Sequence, residues 1–186
     1  MTEPILEFDR ADQWDAWLDE HHGTATGAWL KIAKKNSGAT SITLSEALDG
    51  ALCHGWIDGR RQSLDERHYL QRYSPRSKRS TWSKVNVAKA EALIEAGRMR
   101  PPGYAAIDAA KADGRWDAAY EAQRNATVPP DLASALEGSA RAKAAFDALG
   151  RTDRYLLILG LLKARTPEGR AARLRRTIER LEDDPR

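Results

Sequence analysis

Residues Leu52–Ser83 read LCHGWIDGRRQSLDERHYLQRYSPRSKRSTWS, a stretch in which strand and turn signals follow one another closely. Side chains alternate in character over Tyr69–Tyr73, which is the period of two expected of a β-strand. The residues that flank Asp58-Gly59 and Asp65-Glu66 also favour an extended backbone. Asp and Gly themselves are common in turns. The stretch therefore predicts two strands joined by a turn.

The segment before this stretch predicts a third strand and two helices. The sequence GAWLKIAKK, residues 27–35, alternates in the same way as the first two strands. One helix is predicted after Asp9, and a capping box formed by Thr43 and Glu46 predicts a second helix from about Leu44 to His54. We therefore predict an α+β fold, with a small sheet of about three strands packed on the two helices.

Beyond Pro75 the pattern becomes helical, with Ser83 as the expected cap of the first helix in this region. We predict an α+β N-terminal portion from residue 1 to 82 and an all-helical C-terminal half from residue 83 to 186. Pro129-Pro130 is too short to act as a free linker, so the two parts are expected to pack together, if they are not one domain.

Charge is concentrated in the strip from Arg60 to Lys84. The whole chain of 186 residues carries a formal net charge of +3, whereas this strip has eight basic and two acidic side chains, a net charge of +6. Such a local positive field favours an anionic partner, which could be nucleic acid, phosphate or a carboxylate.

Composition narrows the class of protein further. The single Cys53 cannot form an internal disulfide, and no apolar run reaches the roughly 20 residues that a membrane span requires. We therefore expect a cytoplasmic protein with no membrane span. The four histidines lack the i, i+4 spacing of a helical metal pair, so we expect neither a metal site nor a cofactor.

The basic strip also contains the residues of a candidate anion-binding site. Arginine forks suit carboxylate or phosphate, indole rings offer stacking faces, and the helix start at Ser83 offers backbone amides. The competing interpretation is that the tryptophans belong to the core and that the arginines pair with acids. The candidate residues are Trp56, Asp58, Tyr69, Arg72, Arg76, Trp82 and Ser83.

Three other functions stay open at this stage. Nucleic acid could bind the same strip, although no nucleic-acid motif is present. An enzyme could use the same cleft, but Cys53 and His54 are adjacent on a predicted helix and point about 100° apart. The apolar run DRYLLILGLLK, residues 153–163, could form a core helix or a protein-interaction face, and the oligomeric state is left undetermined.

Three blocks of the basic strip also resemble a known family. They are ALCHGWIDG at Ala51–Gly59, YLQRYSPR at Tyr69–Arg76 and STWS at Ser80–Ser83. With these blocks, the chain resembles the YdeI/OmpD-associated family of bacterial proteins, often labelled bacteriocin-protection proteins. The resemblance extends back through residues 27–38 and forward to about residue 176.

The resemblance implies a small intracellular protein with an α+β N-terminal part, a helical C-terminal part and no established enzyme chemistry. It also implies a role in stress or in protection against antimicrobial peptides. Combined with the charged strip, it favours a non-catalytic protein that binds a small anionic ligand or a protein partner. The alternatives are an uncharacterised enzyme and a nucleic-acid-binding module.

Overall fold

The computed structural model describes residues 3–121, 126–164 and 166–183. The chain divides into two compact units, which we call the first unit, Met1–Ala119, and the second unit, Tyr120–Arg186. Within the described residues the first unit contains four strands and four helices, and the second unit contains four helices.

The elements of the first unit follow one another in the order strand, helix, strand, helix, strand, strand, helix, helix. They are β1 (Ile5–Leu6), α1 (Ala11–His21), β2 (Ala28–Ala33), α2 (Leu44–Cys53), β3 (Trp56–Ser63), β4 (His68–Pro75), α3 (Lys84–Glu95) and α4 (Pro101–Ala112).

The strands form one mixed sheet in the order β1-β2-β4-β3, in which β1 runs parallel to β2 and the other pairs are antiparallel. The predicted α+β class is confirmed, but the sheet has four strands and the prediction of three was wrong. The missed strand, β1, is two residues long, which is too short to show an alternating pattern. It is formed by pairing with β2, with Ile5 opposite Trp29 and Leu6 opposite Leu30.

Helices α1 and α2 cover one face of the sheet. The Trp14 side chain is fully buried, its ring lies 5.8 Å from that of Tyr73, and its indole nitrogen donates to the carbonyl oxygen of Ala47 at 3.0 Å. Thr43 caps α2 as predicted, because its hydroxyl accepts from the Glu46 amide while the Glu46 carboxylate accepts from the Thr43 amide.

A second core cluster joins the end of α2 to α3 and α4. It includes Leu52, Trp82, Leu93, Ile107 and Trp116. Because these side chains bury against one another, α3 and α4 belong to the same compact unit as the sheet. The predicted subdivision after residue 82 followed the change from strand to helix, whereas the compact units divide after Ala119.

The second unit is built around its own cluster of buried side chains. Its helices are α5 (Pro130–Glu137), α6 (Ala140–Ala148), α7 (Arg151–Leu162) and α8 (Pro167–Asp183). Leu132, Phe146, Ile158 and Leu161 are buried between them. The apolar run in α7 therefore contributes core residues, although Leu156 on the same helix is exposed.

Candidate anion-binding site

A cavity of about 320 Å³ lies in the first unit, at the junction of β3, the segment after β4 and α4. We call it the basic cavity. The lining side chains that matter for its chemistry are His22, His54, Trp56, Arg76, Lys78 and Arg115.

One wall of the basic cavity depends on a close approach between the end of α2 and the start of α4. Gly55, which follows α2, has a φ of +71°, a left-handed conformation that favours glycine. A Cβ atom at this position would lie 2.6 Å from the carbonyl oxygen of Pro102. On the α4 side of this contact, Gly103 lies against the backbone of Cys53. The two glycines therefore allow the helices to meet.

The Arg76 guanidinium is positioned by the segment that follows β4. Its Cζ atom lies 3.5 Å from the centre of the Trp82 ring, and its Nη1 donates to the carbonyl oxygen of Thr81 at 3.2 Å. The Arg76 amide donates to the carbonyl oxygen of Gly55 at 2.9 Å. A cation stacked on a buried indole is held in one orientation at the cavity wall.

Arg115 approaches the same segment from beyond α4. Its Nη1 donates to the carbonyl oxygen of Ser80 at 2.9 Å, and its Nε contacts both carboxylate oxygens of Asp113 at 2.8 Å. The Ser77 amide donates to the Ser80 hydroxyl at 2.9 Å, which closes a turn that carries the exposed Lys78. Two arginines and this turn therefore define the cationic side of the cavity.

The His54 imidazole is buried and contacts an acceptor at each ring nitrogen. Nδ1 lies 2.8 Å from the carbonyl oxygen of Gly50, and Nε2 lies 2.9 Å from a carboxylate oxygen of Asp19. Both ring nitrogens of His54 are therefore occupied by contacts within the protein. The hydrogen bond from His54 lowers the pKa of Asp19.

His22 lies beside His54, with ring centres 5.9 Å apart. Its Nδ1 lies 2.9 Å from the carbonyl oxygen of Leu18, at the end of α1, so this nitrogen carries the proton. Among the described residues that line the basic cavity, none is Asp or Glu. The described lining therefore combines one lysine and two arginines with two imidazoles.

The structure brings together three of the seven residues that the sequence singled out. Trp56 and Arg76 line the basic cavity, and Trp82 lies directly beneath Arg76. Both tryptophans are core residues, only 1% and 2% exposed, so their rings are largely covered by protein. Trp56 also donates its indole N–H to the carbonyl oxygen of His22 at 3.2 Å.

Arg72 does not lie at this cavity. It lies opposite Trp29 in the sheet, whereas Tyr73 faces the helices with Ala28. Its Nε and Nη2 contact the two carboxylate oxygens of Glu3 at 2.7 and 2.6 Å. This bidentate pair lowers the pKa of Glu3, and it corresponds to the competing interpretation in which an arginine of the strip pairs with an acid.

The remaining three residues have separate positions. The Tyr69 ring lies under the Arg61 guanidinium, 4.4 Å from its Cζ, at a different cavity. The Ser83 hydroxyl accepts from the amide of Asn86 and caps α3. Asp58 lies opposite Tyr73, and desolvation raises the pKa of its carboxyl group. Asp58 as a whole is nevertheless solvent-exposed, on β3.

Sequence reasoning missed four residues of the basic cavity: His22, His54, Lys78 and Arg115. Lys78 was counted in the charged strip, so its charge was a signal that could have been used. The spacing of the histidines argued only against a metal pair and did not connect His22 or His54 to the strip. Arg115 lies more than thirty residues beyond Trp82 in sequence, and no local pattern connects it to the strip.

Cys53 does not have the properties of a nucleophile. The thiol is buried behind the cavity wall, and this burial raises its pKa to about 11. The reactive thiolate is therefore scarce at neutral pH. Over the described residues, no group of three or more His, Cys, Asp and Glu side chains is arranged to hold a metal ion. None of the helices described combines the length and apolarity that crossing a membrane requires.

Comparison with known proteins matches the two parts of the chain to two family models. Residues 6–106 match the model described as Domain of unknown function (DUF8412), and residues 125–184 match Bacteriocin-protection, YdeI or OmpD-Associated. No curated protein and no solved structure matches the chain. The resemblance to the YdeI/OmpD-associated family is thus confirmed, but by the helical end of the chain.

The three sequence blocks between residues 51 and 83 lie in the region matched by the first model. That match spans more than half of the chain and contains five of the six residues that we named at the basic cavity, all but Arg115. Residues 125–184 are similar to the YdeI/OmpD-associated, bacteriocin-protection model, and the chain belongs to the DUF8412 family.

Proposed function

We propose that this protein is a non-catalytic anion-binding protein whose ligand is a small, compact anion such as phosphate or a phosphate ester. The ligand occupies the basic cavity and is bound by Arg76, Lys78 and Arg115. The His54 imidazole lies at the same wall and is held by Gly50 and Asp19.

The observation that carries the proposal is the charge of the lining. Three cationic side chains and two imidazoles surround about 320 Å³, and no carboxylate is among the described lining residues. Cations gathered around a small concave space raise the local potential and concentrate anions there. Guanidinium groups bind phosphate through directed, charge-assisted hydrogen bonds.

The size of the cavity supports a compact ligand. About 320 Å³ is near the lower limit of the volumes found for small-molecule sites. The Arg76 side chain is stacked on Trp82 and the turn that carries Lys78 is closed by hydrogen bonds, so little ordering is needed when the anion binds. A protein partner that presents a phosphate or a carboxylate group would use the same contacts.

The biological setting proposed here comes from the family match. The description of the matching family names protection against bacteriocins and association with OmpD. We propose that this protein acts in the cytoplasm, in a stress or antimicrobial-peptide response, and that anion binding regulates that role.

The test is calorimetric titration with inorganic phosphate and with pyrophosphate at low ionic strength, using two matched variants. Lys78→Glu reverses a charge at the cavity, and Arg79→Glu makes the same reversal at the next residue, which is exposed and does not line the cavity. We expect Lys78→Glu to weaken binding about tenfold or more and Arg79→Glu to change it by less than about threefold, because the cavity contact is short-ranged.

Three results would overturn the proposal. One is the absence of binding of either anion with a Kd below about 1 mM. Another is an equal effect of the two charge reversals, which would indicate a general surface field. The third is tighter binding of a short single-stranded oligonucleotide than of pyrophosphate, which would favour the nucleic-acid alternative.

A further inference from the structure

The first unit contains a second and larger cavity, of about 1030 Å³. We call it the sheet-end cleft. It lies where β2 ends and the chain turns toward α2, and the facing parts of β3 and β4 complete it. It shares none of its lining residues with the basic cavity.

The floor of the sheet-end cleft is apolar. Ile32 and Ile42 are buried core residues that line it, and Leu44 is half-buried beside them. Tyr69 lies opposite Ile32 in the β2–β4 pair, so its ring faces the same side of the sheet. This floor is suited to an aromatic or aliphatic group.

Arg61 is held at one wall by contacts within the sheet. Its guanidinium lies over the Tyr69 ring, 4.4 Å from the ring centre, and its Nε donates to the side-chain oxygen of Gln71 at 3.2 Å. Gln71 is buried and is fixed in turn by donating to the carbonyl oxygen of Gly59 at 3.0 Å. The Arg61 guanidinium is therefore preorganised above the apolar floor.

The rim of the sheet-end cleft is positively charged, like the wall that carries Arg61. Lys34 and Lys35 line the cleft together with Arg61, while Asp9 is the one carboxylate among the described lining residues. The Lys34 ammonium also donates to the backbone oxygen of Asp65, which ties the loop after β2 to the turn of the hairpin. The rim therefore attracts an anionic group, whereas the floor favours an apolar body.

From this combination we infer that the sheet-end cleft is a second binding site, which takes a small organic anion with one acidic group and an apolar, aromatic or aliphatic body. Arg61 pairs with the acidic group, and the body lies against Ile32, Ile42 and Tyr69. The volume accommodates a ligand of this kind, and the site is independent of the basic cavity.

Two dyes test this inference, because they share an apolar body and differ in charge. They are 1-anilinonaphthalene-8-sulfonate, which is anionic, and N-phenyl-1-naphthylamine, which is neutral. We expect the fluorescence of the anionic dye to report saturable binding, and we expect the neutral dye to bind at least about tenfold more weakly, because it lacks the charge-assisted contact.

Neighbouring residues of β3 provide a matched pair of variants. Arg61→Gln removes the cation at the cleft, whereas Arg60→Gln makes the same change at a residue whose guanidinium lies over Trp29, 5.7 Å from its ring centre. We expect Arg61→Gln to weaken binding of the anionic dye about tenfold and Arg60→Gln to change it by less than about twofold. Lys35→Gln, at an exposed rim position, is a second variant and should weaken binding by a smaller factor.

The inference is overturned if the two arginine variants weaken dye binding equally, or if neither does. It is also overturned if pyrophosphate displaces the dye and Lys78→Glu abolishes dye binding, since the dye would then occupy the basic cavity. Loss of phosphate binding with intact, Arg61-dependent dye binding would instead remove the proposed function and leave the sheet-end cleft as a site.

Discussion

Replacement of Gly55 by alanine tests the close contact that forms one wall of the basic cavity. Gly55 has a φ of +71°, and a Cβ atom there would lie 2.6 Å from the Pro102 carbonyl oxygen. The substitution therefore introduces two separate costs. One is the strain of a side chain in the left-handed region, and the other is overlap with the backbone of α4.

The two costs can be assigned magnitudes. A left-handed conformation costs an L-residue about 1–2 kcal/mol relative to glycine. Overlap in a packed region typically costs a further 1–3 kcal/mol or so, and here the neighbouring atom belongs to the backbone and cannot rotate away. We expect Gly55→Ala to lower the free energy of unfolding by about 3 kcal/mol, which lowers the Tm of a unit of this size by roughly 12 °C.

Gly97 provides the control for strain alone. Its φ is +65°, but a Cβ atom there would have no neighbour within 4 Å among the described residues. Gly97→Ala should therefore cost about 1 kcal/mol, the strain without the overlap. Gly23→Ala, with neither positive φ nor neighbour, should be close to neutral.

Urea denaturation followed by tryptophan fluorescence is the appropriate assay. All six tryptophans lie in the first unit, so their emission reports the unfolding of that unit. If Gly55→Ala and Gly97→Ala lower the free energy of unfolding by the same amount, the close contact between Gly55 and Pro102 contributes nothing and this account of the cavity wall is wrong.

Three further predictions concern single side chains of the first unit. Glu3→Gln removes the bidentate pair with Arg72 and should lower the free energy of unfolding by about 1 kcal/mol at neutral pH. Because the folded protein lowers the pKa of Glu3, the pair stabilises above the unfolded pKa of about 4.3, and this stabilisation is lost as the pH falls through the folded pKa. Wild type and variant should therefore converge in acid in urea denaturation. Tyr73→Phe should leave stability unchanged or raise it by about 1 kcal/mol, since the buried hydroxyl has no hydrogen-bond partner within the described residues; a clear loss in thermal denaturation would contradict this. Cys53, with its pKa raised to about 11, should react with iodoacetamide at least about a hundredfold more slowly in the native protein than in urea at neutral pH, and a fast native reaction would show that the thiol is accessible.

Local signals in the sequence were sufficient for most secondary structure of the first unit. Alternation predicted β2 and β4, and the Thr43–Glu46 capping box predicted the start of α2, because each of these features depends on neighbours a few residues apart. β1 escaped prediction because its identity as a strand depends on pairing with β2, more than twenty residues away.

The candidate site was only partly predictable. Alternation along β4 already places Tyr69 and Arg72 on opposite faces of the sheet, so the two could not share one cavity. Arg72 and Arg76 are the same residue type, four positions apart. Their environments differ because Glu3 from the N-terminal segment reaches Arg72, whereas Arg76 leaves the sheet and stacks on Trp82.

The amino-acid sequence was enough to establish an α+β chain, a hairpin rich in positive charge and an anionic partner as the expectation, because composition, periodicity and capping act over short distances. Which cations share a cavity was decided by tertiary packing. His54, Arg76 and Arg115 are brought together by the contact of α2 with α4 and by the turn after β4. A local charge sum cannot express this arrangement, because the potential inside a cavity depends on three-dimensional distances between side chains that are remote in sequence.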